Sequence, residues 1–111
     1  MQTAEDFLDA KLKDFVSEVV EYRQHGVGKG KSVNAVIGKS FFKTNDVNGY
    51  SIVTRTVDFI IDRNELEQEP VRGDLILRNG RLYEVYGPDN EPCWRFSGGN
   101  HNTYRIHTLS R

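Results

Sequence analysis

The chain has 111 residues and a mass of 12.7 kDa, which fits one domain with one core. Hydrophobic residues make up 37% of it and charged residues 28%, a balance that excludes a disordered chain and a membrane-embedded one. No apolar run approaches the roughly 20 residues that cross a bilayer, the N-terminus has no signal-peptide pattern, and the lone Cys93 indicates a reducing compartment without a disulfide framework.

The formal net charge is −1, but the charges are segregated along the chain. Residues 1–24 carry six acids and three bases, whereas residues 25–43 carry four lysines and no acid. The N-terminal segment has the apolar spacing of a helix, with a capping-box-like Thr3 and Asp6 at its start and Gly26 as its stop. We therefore predict a helix over about residues 4–24, within an N-terminal unit of residues 1–25. Its apolar stripe is Leu8, Leu12, Phe15, Val16, Val19 and Tyr22.

Residues 26–33 are rich in glycine and lysine and predict a flexible basic loop. Lys29 and Lys31 in this loop are candidate assembly contacts for an acidic partner surface or a nucleic-acid backbone, and a solvated loop without a partner is the alternative. The triplet Gly30-Lys31-Ser32 matches the end of a phosphate-binding P-loop. His25 stands where that motif needs its first glycine, and the loop leads from a helix into a strand, so nucleotide binding is the least favoured alternative.

The rest of the chain has the pattern of strands separated by turns. Residues 35–44 and 50–62 predict two strands joined at Asn48-Gly49, and in the second the apolar side chains alternate with polar ones. Arg55 interrupts the apolar face of that strand and indicates a position near a rim. The Asn79-Gly80 pair between two alternating runs predicts a type I′ hairpin. Gly98-Gly99-Asn100 separates an aromatic strand from a final alternating strand.

Short connections between consecutive strands favour an antiparallel meander. We therefore predict a single domain over residues 1–111, of the α+β class and mainly β. It has the N-terminal helix, the basic loop, and a small antiparallel β-barrel or sandwich of five to six strands over residues 34–111.

Residue types that carry chemistry do not form a catalytic or metal-binding pattern. Cys93, His101 and His107 lack metal-ligand spacing, and the carboxylates are spread singly along the chain. We expect no enzymatic activity and no cofactor. A nucleic-acid-binding small β-barrel is the alternative function, because aromatic and basic residues interleave near the C-terminus (Trp94, Arg95, Phe96, Tyr104 and Arg105). Against it, the chain has 16 acids and 15 Lys and Arg residues, so a strongly basic face is not expected.

The C-terminal 40 residues resemble the end of small head–tail joining proteins of tailed bacteriophages and prophages. The resemblance lies in the turn at Gly73-Asp74, the Asn79-Gly80 hairpin, the Trp94-Arg95-Phe96 strand, and the closing residues 105–108. It implies a barrel or sandwich that is added beneath the portal of a DNA-filled capsid and presents a docking surface for the tail. Proteins of this family are structural parts without catalytic residues.

The resemblance also implies where the protein works and with what. The expected partners are the portal or connector and tail proteins, and the protein is expected to associate with itself into a ring on assembly. Packaged DNA would lie nearby, and no membrane is involved. The expected location is the virion, after assembly in the bacterial host cytoplasm.

Overall fold

The computed structural model of the protein describes residues 17–25, 29–45, 47–88, 91–99 and 101–111. These residues form seven strands and one 3₁₀ turn. In chain order they are β1 (Ser17–Arg23), β2 (Gly30–Asn45), β3 (Ser51–Asp62), the 3₁₀ turn (Arg63–Glu65), β4 (Leu75–Arg78), β5 (Arg81–Val85), β6 (Trp94–Phe96) and β7 (Thr103–Ser110). In the described part of the chain there is no α-helix, and hence none that could cross a bilayer.

Six of the strands close into an antiparallel barrel. Their order is β3-β2-β1-β4-β5-β7, and pairing of β3 with β7 closes the ring. The short β6 pairs with residues 104–106 of β7, on the edge whose residues 108–110 pair with β5. The prediction of a mainly β, small antiparallel barrel or sandwich of five to six strands is therefore confirmed, and the form it takes is a six-stranded barrel.

The core lies inside this barrel and comes from alternate residues of each strand. Phe59 and Ile61 of β3 and Ile106 of β7 are fully buried, and Phe59 meets the Tyr83 ring edge-on with centroids 5.3 Å apart. Period-two alternation sends these side chains inward and their neighbours outward. Closing the sheet on itself protects strand edges that would otherwise be open to pairing with other chains.

The N-terminal helix prediction is wrong for residues 17–23, which form β1. A helical stripe would put Val19 and Tyr22 on one face, but Val19 is 67% exposed and Tyr22 is 3% exposed. Val20 and Tyr22 instead alternate into the core, and β1 pairs with β2 on one side and β4 on the other. Tertiary pairing and burial outweigh a local helical pattern here. The remainder of that prediction, residues 1–16, lies outside the described residues.

The basic loop is shorter than predicted. Residues 30–33 belong to β2, where Gly30 pairs with Arg23 and Lys31 pairs with Tyr22. The ladder of a β1–β2 hairpin orders this segment, which the sequence alone presents as glycine-rich and unanchored. Residues 26–28 lie outside the described residues. Because Gly30-Lys31-Ser32 is extended and paired, it does not form the turn into a helix that a P-loop requires.

The two predicted hairpin turns are present. Asn79 and Gly80 have φ values of 50° and 80°, the two positive angles of a type I′ turn, and they join β4 to β5. Gly49, at φ 84°, lies in the connection between β2 and β3. Asn and Gly tolerate these angles better than other residues, which is why both sequence signals are reliable.

Candidate interaction surface

The β2–β3 hairpin extends beyond the barrel. β2 has 16 residues and β3 has 12, but β1 pairs with β2 only through residue 36, and β7 pairs with β3 only from residue 57 onward. Among the described residues, positions 37–45 and 51–56 therefore pair only with each other. We call this two-stranded ribbon the arm. Nine residues of extended chain make it about 30 Å long.

One face of the arm combines basic and apolar side chains. The register places Lys43 opposite Val53, Phe41 opposite Arg55, and Lys39 opposite Val57. Phe41 is 63% exposed and Val53 is 48% exposed. The Arg55 guanidinium lies over the Phe41 ring, 5.6 Å from its centroid. We call this surface the basic apolar face; it consists of Lys39, Phe41, Lys43, Val53 and Arg55.

Further exposed apolar residues lie towards the arm's tip. Val47 is fully exposed, Tyr50 is 71% exposed, and Ile52 is 45% exposed. A two-stranded hairpin is marginally stable alone in water, and clustered exposed apolar groups on a soluble domain mark interaction sites. The arm is therefore the strongest candidate interaction surface in the described part of the chain.

A buried carboxylate holds the base of the arm against the barrel. Asp58 of β3 is fully buried, and its oxygens accept hydrogen bonds from Ser40 Oγ, Thr56 Oγ1 (2.8 Å) and Arg105 Nε (2.6 Å). His107 Nδ1 lies 2.9 Å from Asp58 Oδ1. The group joins β2, β3 and β7 where the arm leaves the barrel. We call it the Asp58 anchor.

Arg105 ties the anchor to β2 as well. Its Nη2 donates to the backbone oxygen of Lys39 at 2.9 Å. A Cβ placed on Gly38 would lie 3.1 Å from that nitrogen, so glycine leaves room for the guanidinium to cross. One cation thus bonds both strands at the base of the arm and fixes the arm's direction.

The anchor keeps Asp58 ionised. Burial on its own raises the pKa of this carboxyl, but the hydrogen bonds from His107, Ser40, Thr56 and Arg105 outweigh it and lower the pKa to about 2 from the ordinary 3.8. Because the pKa of Asp58 is lower in the folded state than in the unfolded chain, its ionisation stabilises the fold at any pH above the pKa of the unfolded chain. That stabilisation is lost as the pH falls towards the folded value.

We expect acid to weaken the fold in a defined window. Between about pH 4 and pH 2, protonation of Asp58 should remove about 2 kcal/mol from the free energy of unfolding. Urea unfolding at pH 6, 4, 3 and 2.5 measures this loss. The Asp58→Ala variant should not show this loss of stability between about pH 4 and pH 2. If its free energy of unfolding falls with pH as steeply as that of the wild type, Asp58 is not the group that titrates.

Lys29 and Lys31, the predicted assembly contacts, lie at the end of the barrel opposite the arm. Both are exposed, and they line a depression of ≈ 150 Å³ together with Tyr22, Gln24, Leu66 and Glu67. Lys31 is in β2 rather than in a loop. The structure thus places the two lysines together on an accessible surface, away from the arm.

An acidic cleft lies on the outer wall of the barrel. It has a volume of ≈ 430 Å³ and is lined by Ser17, Asn34, Asp62, Asn64 and Glu65. Asp62 Oδ1 accepts from the backbone N–H of Asn64 at 2.9 Å, and both Glu65 oxygens lie 3.2 Å from the backbone nitrogen of Asn34. Among the described residues that line the cleft, two carry carboxylates and none is Lys or Arg, so it presents a negative surface.

The interleaved aromatic and basic residues near the C-terminus do not form an open stacking platform. Tyr104 is 3% exposed, and its ring lies 4.7 Å from that of Trp94 and 5.7 Å from that of Phe96. Arg105 is engaged in the Asp58 anchor, whereas Arg95 is exposed. Base stacking needs accessible aromatic faces, but Tyr104 offers none, and Trp94 and Phe96 are only partly exposed.

The candidate metal and nucleophile residues have structural roles. Cys93 is buried, with Sγ 3.8 Å from the backbone oxygen of Pro70, and burial raises the pKa of its thiol. The His101 ring stacks on Phe96, and His107 belongs to the Asp58 anchor. Within the described ranges, no group of three or more His, Cys, Asp or Glu residues could hold a metal ion.

Sequence reasoning missed the arm and its anchor. The sequence presents Asp58 only as one of the carboxylates that are spread singly along the chain. The available signal was length, because β2 and β3 are much longer than the three to eight residues of the other strands. Arg55 on an otherwise apolar face was the second signal.

Comparison with known proteins gives one family. The family model described as "Phage head-tail joining protein" matches residues 1–111, the whole of this sequence. A search of the curated proteins gives no match. The family match confirms the resemblance that the C-terminal pattern indicated.

Proposed function

The chain belongs to the phage head–tail joining protein family, and from this premise we propose that it joins the portal end of a phage head to the tail. The family is structural rather than enzymatic, so the protein is a virion component with a role in particle assembly. What we propose beyond family membership is that the protein docks to the portal on one side and to the tail on the other.

The arm is the observation that supports this proposal most strongly. The Asp58 anchor fixes a ribbon with exposed Phe41, Val47 and Tyr50 on a closed barrel. Apolar and aromatic side chains that protrude from a rigid scaffold suit docking to other proteins. A joining protein needs such surfaces, because it must hold two separate structures.

We further propose that the protein acts as a ring beneath the portal, formed in the host cytoplasm as particles mature. Its partners are the portal or connector on one side and tail proteins on the other, with packaged DNA close by. Separated charged surfaces support this arrangement. The basic apolar face and the acidic cleft lie apart on the same molecule, as contacts between successive copies require.

Deleting the gene from the phage or prophage that carries it tests the joining role. We expect DNA-filled or leaking heads beside complete free tails, seen by negative-stain microscopy, because each half assembles and only the junction is missing. Expression of the wild-type chain in the host should restore joined particles. Normal infectious particles without the gene would refute the proposal.

Lys29 and Lys31 are proposed as assembly contacts on the portal or a neighbouring subunit. Both lysines are exposed and adjoin one depression, so reversing their charge should repel an acidic partner without disturbing the core. We expect the Lys29→Glu/Lys31→Glu variant to yield fewer infectious particles in the deletion strain. Arg81→Glu, at an exposed position in the β4–β5 hairpin, is the matched control. Equal particle yields from both variants would remove this assignment.

A further inference from the structure

We propose that the basic apolar face of the arm in one copy docks into the acidic cleft of the next copy. This inference rests on the proposed ring and names the two surfaces that build it. The partner is therefore a second copy of this chain, contacted head to tail.

Charge and polarity of the two surfaces are complementary. The arm face presents Lys39, Lys43 and Arg55, and no acid occurs within residues 37–45 or 51–56. The cleft presents Asp62 and Glu65. Opposite potentials of this kind orient partners and fix the register of their contact.

Apolar groups accompany the charges on both sides. Phe41 and Val53 lie between the cations of the arm. Beside the cleft, Val19 is 67% exposed and pairs with Asn34, one of the lining residues. Burying these apolar groups against each other would supply the non-directional part of the contact, while the ion pairs set its geometry.

The two surfaces cannot meet within one molecule. Arg55 and Val53 share the inward-facing side of β3 with Phe59, whereas Asp62 and Asn34 face outward on β3 and β2. Residues 55 and 62 are also about 23 Å apart along the strand. When a patch on one copy complements a different patch on the next copy, the contact is heterologous. Repeating such a contact closes a ring if the rotation between successive copies divides a full turn evenly.

Within the described ranges, Lys31 and Arg63 are directed away from the cleft. Lys31 has the inward orientation of Val33 on β2, while Asn34 at the cleft points outward. Lys29 and Lys31 accordingly line a different depression. Arg63 directs its guanidinium towards the Phe96 ring, 5.8 Å from the centroid.

Charge reversal on each surface, alone and together, tests the contact. The arm variant is Lys43→Glu/Arg55→Glu, and the cleft variant is Asp62→Asn/Glu65→Lys, in which the asparagine amide oxygen retains an acceptor for the 3₁₀ turn. The third protein carries all four substitutions. Each is expressed in the deletion strain, and infectious particles are counted. Circular dichroism melting checks that all three fold.

We expect the arm and cleft variants each to weaken association between copies by roughly 100-fold, because like charges then face one another. The four-substitution chain should recover particle formation, since its reversed surfaces match each other. If the four-substitution chain forms as few particles as the arm and cleft variants, the arm binds an unchanged partner such as a portal protein or DNA, and the inference is wrong. Full activity of either single-surface variant would also overturn it.

A purified-protein experiment separates this inference from the joining role. A mixture of the arm and cleft variants, each reversed on one surface, should form cross-linked pairs with a carbodiimide, whereas either variant alone should not. Isotope labelling of one variant identifies pairs between copies. If Lys39 or Lys43 instead couples to acids of residues 1–16 in the same chain, the arm contacts that segment and the proposed contact between copies is wrong. This outcome does not depend on the result of the gene deletion.

Discussion

Replacing Asp58 with alanine is expected to lower the free energy of unfolding by about 3–5 kcal/mol, since it leaves the partly buried Arg105 guanidinium and three other hydrogen-bonding groups without their shared partner. Arg105 Nε, His107 Nδ1 and the hydroxyls of Ser40 and Thr56 all converge on this carboxylate. The substitution removes this shared acceptor from all four groups at once. Urea unfolding of the purified variant at pH 7 measures the loss.

The effect should depend on burial and not on loss of a negative charge. Glu67→Ala, which removes an exposed carboxylate from the turn after the 3₁₀ element, is the matched control and should change the free energy by no more than about 0.5 kcal/mol. Asp58→Ala should also release the arm from the barrel. Hydrogen exchange of the Lys39 and Ser40 amides should then rise more than exchange at Phe59. A loss below about 1 kcal/mol, the usual value of one hydrogen bond, would show that the anchor is not cooperative.

The strands with strong local signals were predictable from the sequence. The Asn79-Gly80 turn has a conformational requirement that few residue pairs meet, and the alternation of β3 places Phe59 and Ile61 in the core. These are properties of short segments, so neighbouring sequence is enough to reveal them. The antiparallel barrel followed from short connections between such strands.

β1 was not predictable in the same way. Its sequence suits either a helix or a strand, and pairing with β2 and β4 decides between them. The β4 partner lies more than 50 residues further along the chain. Tyr22 illustrates the point, because its hydroxyl donates to Asp74 Oδ2 at 2.5 Å across 52 positions. Local spacing does not contain that contact. Burial and this hydrogen bond together raise the pKa of Tyr22.

The candidate interaction surface was hidden for a related reason. Phe41 and Phe59 occupy paired strands and point to the same side of the hairpin, yet Phe41 is 63% exposed and Phe59 is fully buried. The difference arises because β7 covers β3 only from residue 57 onward, and that limit is set by the length of β7 and its register. Sequence alternation identifies the face of a strand but not where the neighbouring strand ends.

Phe41→Ala is expected to weaken docking of the protein to its partner by roughly 30-fold or more, as truncation of a central aromatic at an interface does. Its ring stands on the basic apolar face beneath Arg55, where a partner would enclose it. Particle yield in the deletion strain and the affinity between purified copies measure the loss. Val71→Ala, another exposed apolar position at 52%, should leave both unchanged.

Stability of the same variants separates docking from folding. Phe41→Ala should alter the free energy of unfolding by no more than about 0.5 kcal/mol, as surface substitutions do. Phe59→Ala should cost about 3–5 kcal/mol because it empties part of the core. Since the two phenylalanines lie on paired strands of one hairpin, loss of particles with Phe41→Ala at full stability would assign assembly to the arm itself. A stability loss in Phe41→Ala close to that of Phe59→Ala would instead mean that the arm packs on its own chain.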